Sequence, residues 1–452
     1  MKRILNKETI KQINKKVKLA GWVDSVRSHG KIIFIDLRDI SGIVQMVCSA
    51  DLAKDIRSEW VIEIEGKVIK RPAKMANPKV ETGSIEIAVN GLKVLSKADT
   101  LPFAIDNDGY DISEDKRMKY RYLDLRRQRL KRNMIERNRV IQYIRQYLGK
   151  QDFIEIETPI LTKSTPEGAR DFIVPSRLQS GKFYALPQSP QQYKQLLQIA
   201  GMEKYFQIAR CLRDEDPRAD RQAEHTQLDL EMSFVEQKDV MKLTEDLFIS
   251  IIKKLYPEKK IQQIPFPVLT YEKAMKRYKT DRPDLRKNKD LLAFCWVVDF
   301  PFFEKDGKKW TFTHNPFSAP KPEYMKDLLA KKNIKNILTS QYDIVLNGSE
   351  VGGGSIRNHQ IEALEAVFEI IGYSKKEIKE NFGHMLEAFK YGVPPHGGIA
   401  PGLDRLLSII LDEPNIREVI AFPKTGDSRD LMMGAPSEVS QAQLKELKLK
   451  IK

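Results

Sequence analysis

The stretch that most constrains this fold is YFQIARCLRDEDPRADRQAEHTQLDLEMSF, residues 205–234. It reads as two strands flanking a highly charged loop. In the second strand Thr226, Leu228, Leu230, Met232 and Phe234 alternate with His225, Gln227, Asp229, Glu231 and Ser233, which predicts one core face and one wholly polar face. In the first, Gln207, Ala209, Cys211 and Arg213 share a face, so small side chains leave room and a guanidinium stands where the loop begins. That combination suits a floor on which a ligand lies. The loop, 214–224, interleaves Arg218 and Arg221 with Asp214, Glu215, Asp216, Asp220 and Glu224. Arginine forks bind phosphate bidentately, and the carboxylates can hold those forks or receive amine donors or Mg²⁺. Taken alone, such a loop is also readable as a solvated hairpin with surface ion pairs.

The chain has 452 residues, enough for two to four domains and a large buried core. Its 77 basic against 62 acidic side chains give +15, which favours a polyanionic partner. Cys48, Cys211 and Cys295 form no CxxC spacing, so neither a disulfide framework nor a zinc site is expected, and the compartment is expected to be reducing. No apolar run reaches the ~18 residues of a membrane span, and MKRILNKETI lacks a signal-peptide core; a cytoplasmic protein with no membrane partner is expected.

Residues 1–100 carry five short strand patterns separated by turn residues, which fits a closed barrel of the OB type. Such barrels bind single-stranded nucleic acid on one face, and Arg27, Phe34 and Gln45 offer a charge, a stacking ring and a base-reading amide. From alternation alone Phe34 is equally a core aromatic. Residues 101–125 are polar with scattered aromatics and read as a hinge, leaving 126–452 as the second large domain. A helical pattern from Arg126 to Gly149 places Met134, Val140, Ile141, Ile144 and Leu148 on one face. Residues 165–171, TPEGARD, have the turn chemistry of a mobile loop. Gln191 and Lys194 fall on one helical face. In YDIVLNGSEVGGGSIRNH, Asp343 and Glu350 can present carboxylates to Mg²⁺, three glycines let a ligand approach the backbone, and Arg357 adds a fork. Arg405 stands at the start of the helix in PPHGGIAPGLDRLLSIIL, where amide donors and the helix dipole favour anions.

CLRDEDPRADRQAEHTQLDLE resembles motif 2 of the class II aminoacyl-tRNA synthetases, most closely in the wording of bacterial-type aspartyl-tRNA synthetases. Residues 128–160 resemble motif 1, which builds a homodimer interface in that family, and 398–412 resemble motif 3; the resemblance covers nearly the whole chain. It implies an α+β fold, an OB barrel followed by an antiparallel catalytic sheet flanked by helices, and the substrates ATP with Mg²⁺, L-aspartate and tRNA(Asp). By the resemblance, Arg213 contacts the α-phosphate and the aminoacyl carboxylate, and Arg405 the γ-phosphate. Asp214, Glu215, Gln222, His225, Glu350, Gly402, Leu403 and Asp404 complete the ATP set, with His225 where the family places a stacking Phe. Glu167, Gln191, Lys194, Asp229, His314 and Arg357 form the aspartate set, with Asn315 in place of a second His. Asp343 and Glu350 would hold the metal. Arg27, His29, Phe34 and Gln45 would read the anticodon, and His29, where strict family members tend to carry Leu, extends the expectation to tRNA(Asn). The family's large inserted domain between PDLR and WVVDFP is reduced here to about ten residues. The alternatives are an asparaginyl-tRNA synthetase, opposed by Lys194 and Arg357, and an aspartate-adenylating, amidating paralogue that charges no tRNA, opposed by the N-terminal barrel.

Overall fold

The computed structural model describes residues 1–164, 168–215 and 221–451, and the chain divides into two compact units, 1–104 and 105–452. In the first, β1 (Lys16–His29), β2 (Ile32–Asp39), β3 (Gly42–Ser49), β4 (Val61–Lys70) and β5 (Ile85–Ser96) close a barrel in the order β1-β2-β3-β5-β4. Period-two alternation drives this closure. Leu19, Val23, Ile35, Leu37, Val44, Met46, Ile62 and Ile87 are fully buried inside, whereas their strand neighbours face outward. Phe34 is only partly buried and lies outside that core.

The second unit is built on an eight-stranded sheet. Its strands are β6 (Ile154–Glu155), β7 (Lys204–Leu212), β8 (Glu224–Ser233), β9 (Val268–Thr270), β10 (Phe294–Val298), β11 (Gln341–Leu346), β12 (Ser349–Ile356) and β13 (His396–Pro401), in the order β9-β10-β11-β12-β13-β8-β7-β6. Only the two outer pairs, β6 with β7 and β9 with β10, run parallel. One face is apolar: Leu228 and Leu230 of β8 and Ile344 of β11 pack with Val140, Ile144 and Leu148 of the helix Gln128–Gly149 and with Val240, Leu247 and Phe248 of the helix Gln237–Leu255. The opposite, polar face is left for the site. Phe234, expected on the core face, instead lies one residue beyond β8 with φ 58° and its ring exposed, because the chain turns there.

The stretch 101–125, expected as a hinge, is a second departure. From residue 105 it belongs to the second unit, and Glu114–Lys119 and Arg121–Asp124 are short helices. Three of their charged residues, Arg117, Arg121 and Asp124, are buried. Asp124 accepts from Arg117 Nε (3.0 Å), Arg121 (2.8 Å) and Arg127 Nε (2.7 Å), while Arg117 also forks onto Glu418 at 3.1 and 2.7 Å. Within a stretch that reads as a polar hinge, Arg117, Arg121 and Asp124 thus form an internal ion network with Arg127 and Glu418, paired at short range.

Candidate active site

On the polar face of the sheet two clefts adjoin, sharing Arg213, Gln227, Glu350 and Ala400. The first also takes Glu215, Gln222, His225, Gly402, Asp404 and Arg405 as lining. His225 stands between arginines: burial, then Arg213, Arg405 and Arg210, pull its pKa down to about 3, so the imidazole is a neutral ring suited to stacking. Arg213 donates Nε to the Gln188 carbonyl at 3.4 Å, and Arg405 donates to the Glu350 carbonyl. Gln222 is fixed by a reciprocal pair with the Lys424 backbone, at 2.7 and 3.1 Å.

The second cleft is lined by Gln191, Lys194, Asp229, His314, Asn315, Asp343 and Arg357. Its floor is a buried network of two cations and two carboxylates. Lys194 Nζ lies 3.0 Å from Asp229 and 3.3 Å from Glu231, and Arg357 forks onto Glu231 at 2.8 and 3.0 Å while donating to Ser355 Oγ at 2.8 Å. None of the four is more than 3% exposed. Burial pushes Asp229 above the usual carboxylate range against the pull of Lys194; Glu231 is equally desolvated, yet Arg357 and Lys194 hold it down to about 2. Asp229 Oδ1 and Gln191 Nε2 are buried with no hydrogen-bond partner among the described residues, so each has capacity for a ligand. Gly398 is obligatory beside this floor, since a Cβ there would stand 2.1 Å from Glu231 Oε2.

Glu350 and Arg357 share the cleft although seven residues separate them, an odd spacing that puts residues of a regular strand on opposite faces. A bulge resolves this. Ile344 pairs with Gly352 but Val345 with Glu350, so Val351 is the extra residue, and it turns into the core. Asp343, opposite Gly353, then joins Glu350 above a glycine whose Cβ would lie 3.0 Å from Asp343 Oδ1 and 3.6 Å from Glu350 Oε1. Burial and then Glu350 push Asp343 well above its ordinary pKa; Gln341 opposes this with a hydrogen bond at 3.2 Å. The charges acting on Asp343 are negative, an environment that a divalent cation would relieve. Among the described residues no group of three or more ligating side chains is present.

Two expected residues sit elsewhere. Leu403 is fully buried in the core, and Asp214 is exposed, its N–H bonded to the Arg170 carbonyl at 3.0 Å. Asp404 lines the first cleft, but its oxygens are taken by Arg137 and by the Thr226 N–H. Asn315 is occupied in capping its own turn through the Phe317 N–H at 3.0 Å. Burial lowers the pKa of His314, whose ring packs edge-on to Phe300 at 4.7 Å. Glu167, Asp216, Arg218 and Asp220 lie outside the described residues. Glu231 and Gln188 are missing from the sequence-based site. Alternation with Asp229 already placed Glu231 on the polar face, whereas nothing local indicates that Gln188 bonds Ala169 in both directions, at 3.0 and 2.8 Å.

On the barrel, Arg27 is directly opposite Phe34, and Asp36 opposite Gln45. Arg27 donates to Asp36 at 2.7 Å and to Gln45 Oε1 at 3.4 Å, Gln45 Nε2 donates to Glu86 at 3.2 Å, and the His29 ring meets Phe34 edge-on at 5.5 Å. All four expected anticodon residues thus share one patch, Arg27 and His29 exposed and Phe34 and Gln45 partly buried.

A closed OB barrel, and a mixed sheet whose polar face joins an arginine-flanked cleft to an acid-and-cation floor, are the marks of a class II aminoacyl-tRNA synthetase. Residues 113–426 match the family tRNA synthetases class II (D, K and N), and 17–95 match the OB-fold nucleic acid binding domain. The chain belongs to the class II tRNA synthetases of that branch, and it is a ligase. Within the branch it is similar to the aspartate–tRNA(Asp/Asn) ligases of Caldanaerobacter subterraneus subsp. tengcongensis (42% identical, 98% of this chain and 97% of that protein) and Rubrobacter xylanophilus (40%, 97% and 95%). The first of these matches runs over 577 residues against a 452-residue chain, so more than a hundred positions of that relative have no counterpart here. The fold is similar to asparaginyl-tRNA synthetase from Pyrococcus horikoshii complexed with asparaginyl-adenylate (TM-score 0.75, 23% identity, 94% of this chain and 98% of that chain). It is also similar to aspartyl tRNA synthetase from Entamoeba histolytica (TM-score 0.73, 22%, 94% and 91%).

Proposed function

We propose that the protein is an aspartate–tRNA ligase that forms aspartyl-adenylate from L-aspartate and ATP, then passes the aspartyl group to tRNA(Asp) and tRNA(Asn). The observation that carries this reading is the floor of the second cleft, where Lys194 and Arg357 are buried in the cleft that shares Arg213 with the first. Cationic donors fixed in the pocket suit an acidic side chain, whose oxygens only accept, better than a neutral amide, whose NH₂ would oppose them.

In the first step the α-carboxylate of aspartate attacks the α-phosphorus of ATP in line, and pyrophosphate leaves. No side-chain nucleophile is needed. Arg213 and Arg405 spread the developing charge, His225 stacks on adenine, Glu215 and Gln222 border the base, and the pocket aligns the reactants. Asp229 and Gln191 offer open hydrogen-bonding capacity to the amino acid, and Glu167 is assigned to its ammonium. Asp343 and Glu350 would hold Mg²⁺, which when bound neutralises phosphate charge. In the second step a terminal ribose hydroxyl of tRNA attacks the activated carbonyl and AMP leaves.

On the barrel, Arg27, Phe34, Gln45 and His29 would engage the anticodon. The exposed apolar side chains Ile154, Ile160 and Leu161, at and after the edge strand β6, support a homodimer; sedimentation would test it. The compartment consistent with this activity is the cytoplasm. Aspartate-dependent ATP–pyrophosphate exchange, followed by charging of purified tRNA(Asp) and tRNA(Asn), tests the assignment; exchange with asparagine but not aspartate would overturn it.

A further inference from the structure

The nucleotide cleft is organised around the turn 402–405. Gly402 donates its N–H to the Val351 carbonyl at 2.9 Å and bridges to Gln227, and Arg405 donates to the Glu350 carbonyl, so the turn is tied to β12 and β8. Asp404 ties it once more to β8, accepting the Thr226 N–H at 2.9 Å with Oδ2. Thr226 stands between His225 and Gln227, which both line the cleft. The remaining oxygen, Oδ1, accepts from Arg137, a residue of the helix Gln128–Gly149 on the far side of the sheet's core, and Arg137 is itself braced by the Val419 carbonyl at 3.1 Å.

We propose that Arg137 is a positioning residue for the nucleotide cleft: by holding Asp404 it sets the turn that carries Arg405 against the strand that carries His225. The proposal rests on the reading of that cleft as the ATP site. Asp404 is 3% exposed, and with both oxygens engaged it acts on the nucleotide through its neighbours rather than by touching it. Without Arg137 the buried carboxylate keeps only the Thr226 N–H among the described residues and loses the cation that fixes it. The turn it anchors carries Arg405, which lines the cleft.

The test compares the full-length parent with Arg137→Leu, Arg137→Lys and, as a control on the same helix, Arg139→Leu, whose side chain pairs with Glu136 at the surface. Aspartate-dependent exchange gives KM for ATP and aspartate separately, and equilibrium dialysis with ATP reads the nucleotide site without the amino acid. Arg137→Leu is expected to raise the ATP KM and the dialysis constant at least about tenfold, with the aspartate KM within about twofold. Arg137→Lys should recover part of that loss, since it restores the charge on a side chain of different reach; Arg139→Leu should match the parent. Equal rises in both KM values, or unchanged KM values with only a lower melting temperature, would overturn the proposal. If Arg137→Leu does not fold, Arg137→Lys decides on the same criterion, with a smaller selective rise in the ATP constants as support and none as refutation. A parent inactive with aspartate but binding ATP would refute the amino-acid assignment alone, leaving dialysis to judge Arg137.

Discussion

Glu231 forks onto Arg357 from a strand 126 residues away, at 2.8 and 3.0 Å, and the same carboxylate lies 3.3 Å from Lys194. Two cations that would recognise an acidic substrate are therefore already balanced by Asp229 and Glu231 before any ligand arrives. Recognition then rests on how the donors are aimed. Glu231 takes Nε and one terminal nitrogen of Arg357 and fixes the plane in which the remaining donors point.

Glu231→Gln keeps the volume and one acceptor but removes the charge that holds both cations. Breaking a buried pair from one side costs about 3–5 kcal/mol, so aspartate-dependent exchange is expected to fall at least about a hundredfold, mainly through the aspartate KM. The ATP KM should stay near the parent value. An aspartate KM close to that of the parent would show that Glu231 does not orient the pocket.

Arg357→Leu goes further, since it deletes a fork and leaves the fully buried Glu231 with Lys194 as its one remaining cation among the described residues. A loss of a few hundredfold or more in aspartate activation is expected, again from about 3–5 kcal/mol, with ATP binding by dialysis largely intact. Exchange within about threefold of the parent would remove Arg357 from the site.

Much of this was readable in the chain. Alternation in β8 separated Leu228 and Leu230 from Asp229 and Glu231, because a period of two is a local property that the barrel strands share. Non-local features were not readable. The bulge at Val351 that brings Glu350 to the face of Arg357 depends on a partner strand, and the ion network around Asp124 depends on Glu418, nearly three hundred residues on. Before folding, Arg117 and Arg121 are indistinguishable from the solvated charges of a linker. The burial of the Leu403 side chain is another such feature, since its place in a motif does not say which way the first helical turn faces.

Asparagine should be rejected by roughly 10⁴-fold in exchange, because its side-chain NH₂ would meet donors of Lys194 and Arg357 where a carboxylate oxygen accepts from them. Comparing kcat/KM for the two amino acids measures this, and comparable values would refute the assignment of the second cleft.

His225 yields a prediction about pH. Its folded pKa, about 3, lies below the ordinary 6.5, so the folded protein binds fewer protons than the unfolded chain between those values. The stability this group contributes is fully present above 6.5 and is lost progressively as pH falls toward 3. His225→Phe removes that dependence while keeping a stacking ring. Its melting temperature is expected to fall less than the parent's between pH 6.5 and about 5, with the ATP KM at neutral pH within about threefold. A steeper acid loss in the variant would contradict the assignment of a neutral imidazole.

His29 carries the prediction about tRNA breadth. It ends β1, its ring meets Phe34 edge-on, and it is exposed on the patch that holds Arg27 and Gln45. The aspartate and asparagine anticodons differ at the third position, so discrimination falls to side chains able to touch that base. An imidazole can donate or accept and tolerates either base, whereas an apolar leucine can be shaped to favour one. Charging efficiencies of the parent for purified tRNA(Asp) and tRNA(Asn) are expected to differ by less than about a hundredfold, roughly 2.7 kcal/mol. His29→Leu should widen the ratio in favour of tRNA(Asp) while leaving exchange without tRNA unchanged, since that reaction does not involve the anticodon. A parental preference above that limit would defeat the tRNA(Asn) reading, and an unchanged ratio in the variant would move the discrimination to another residue of the patch.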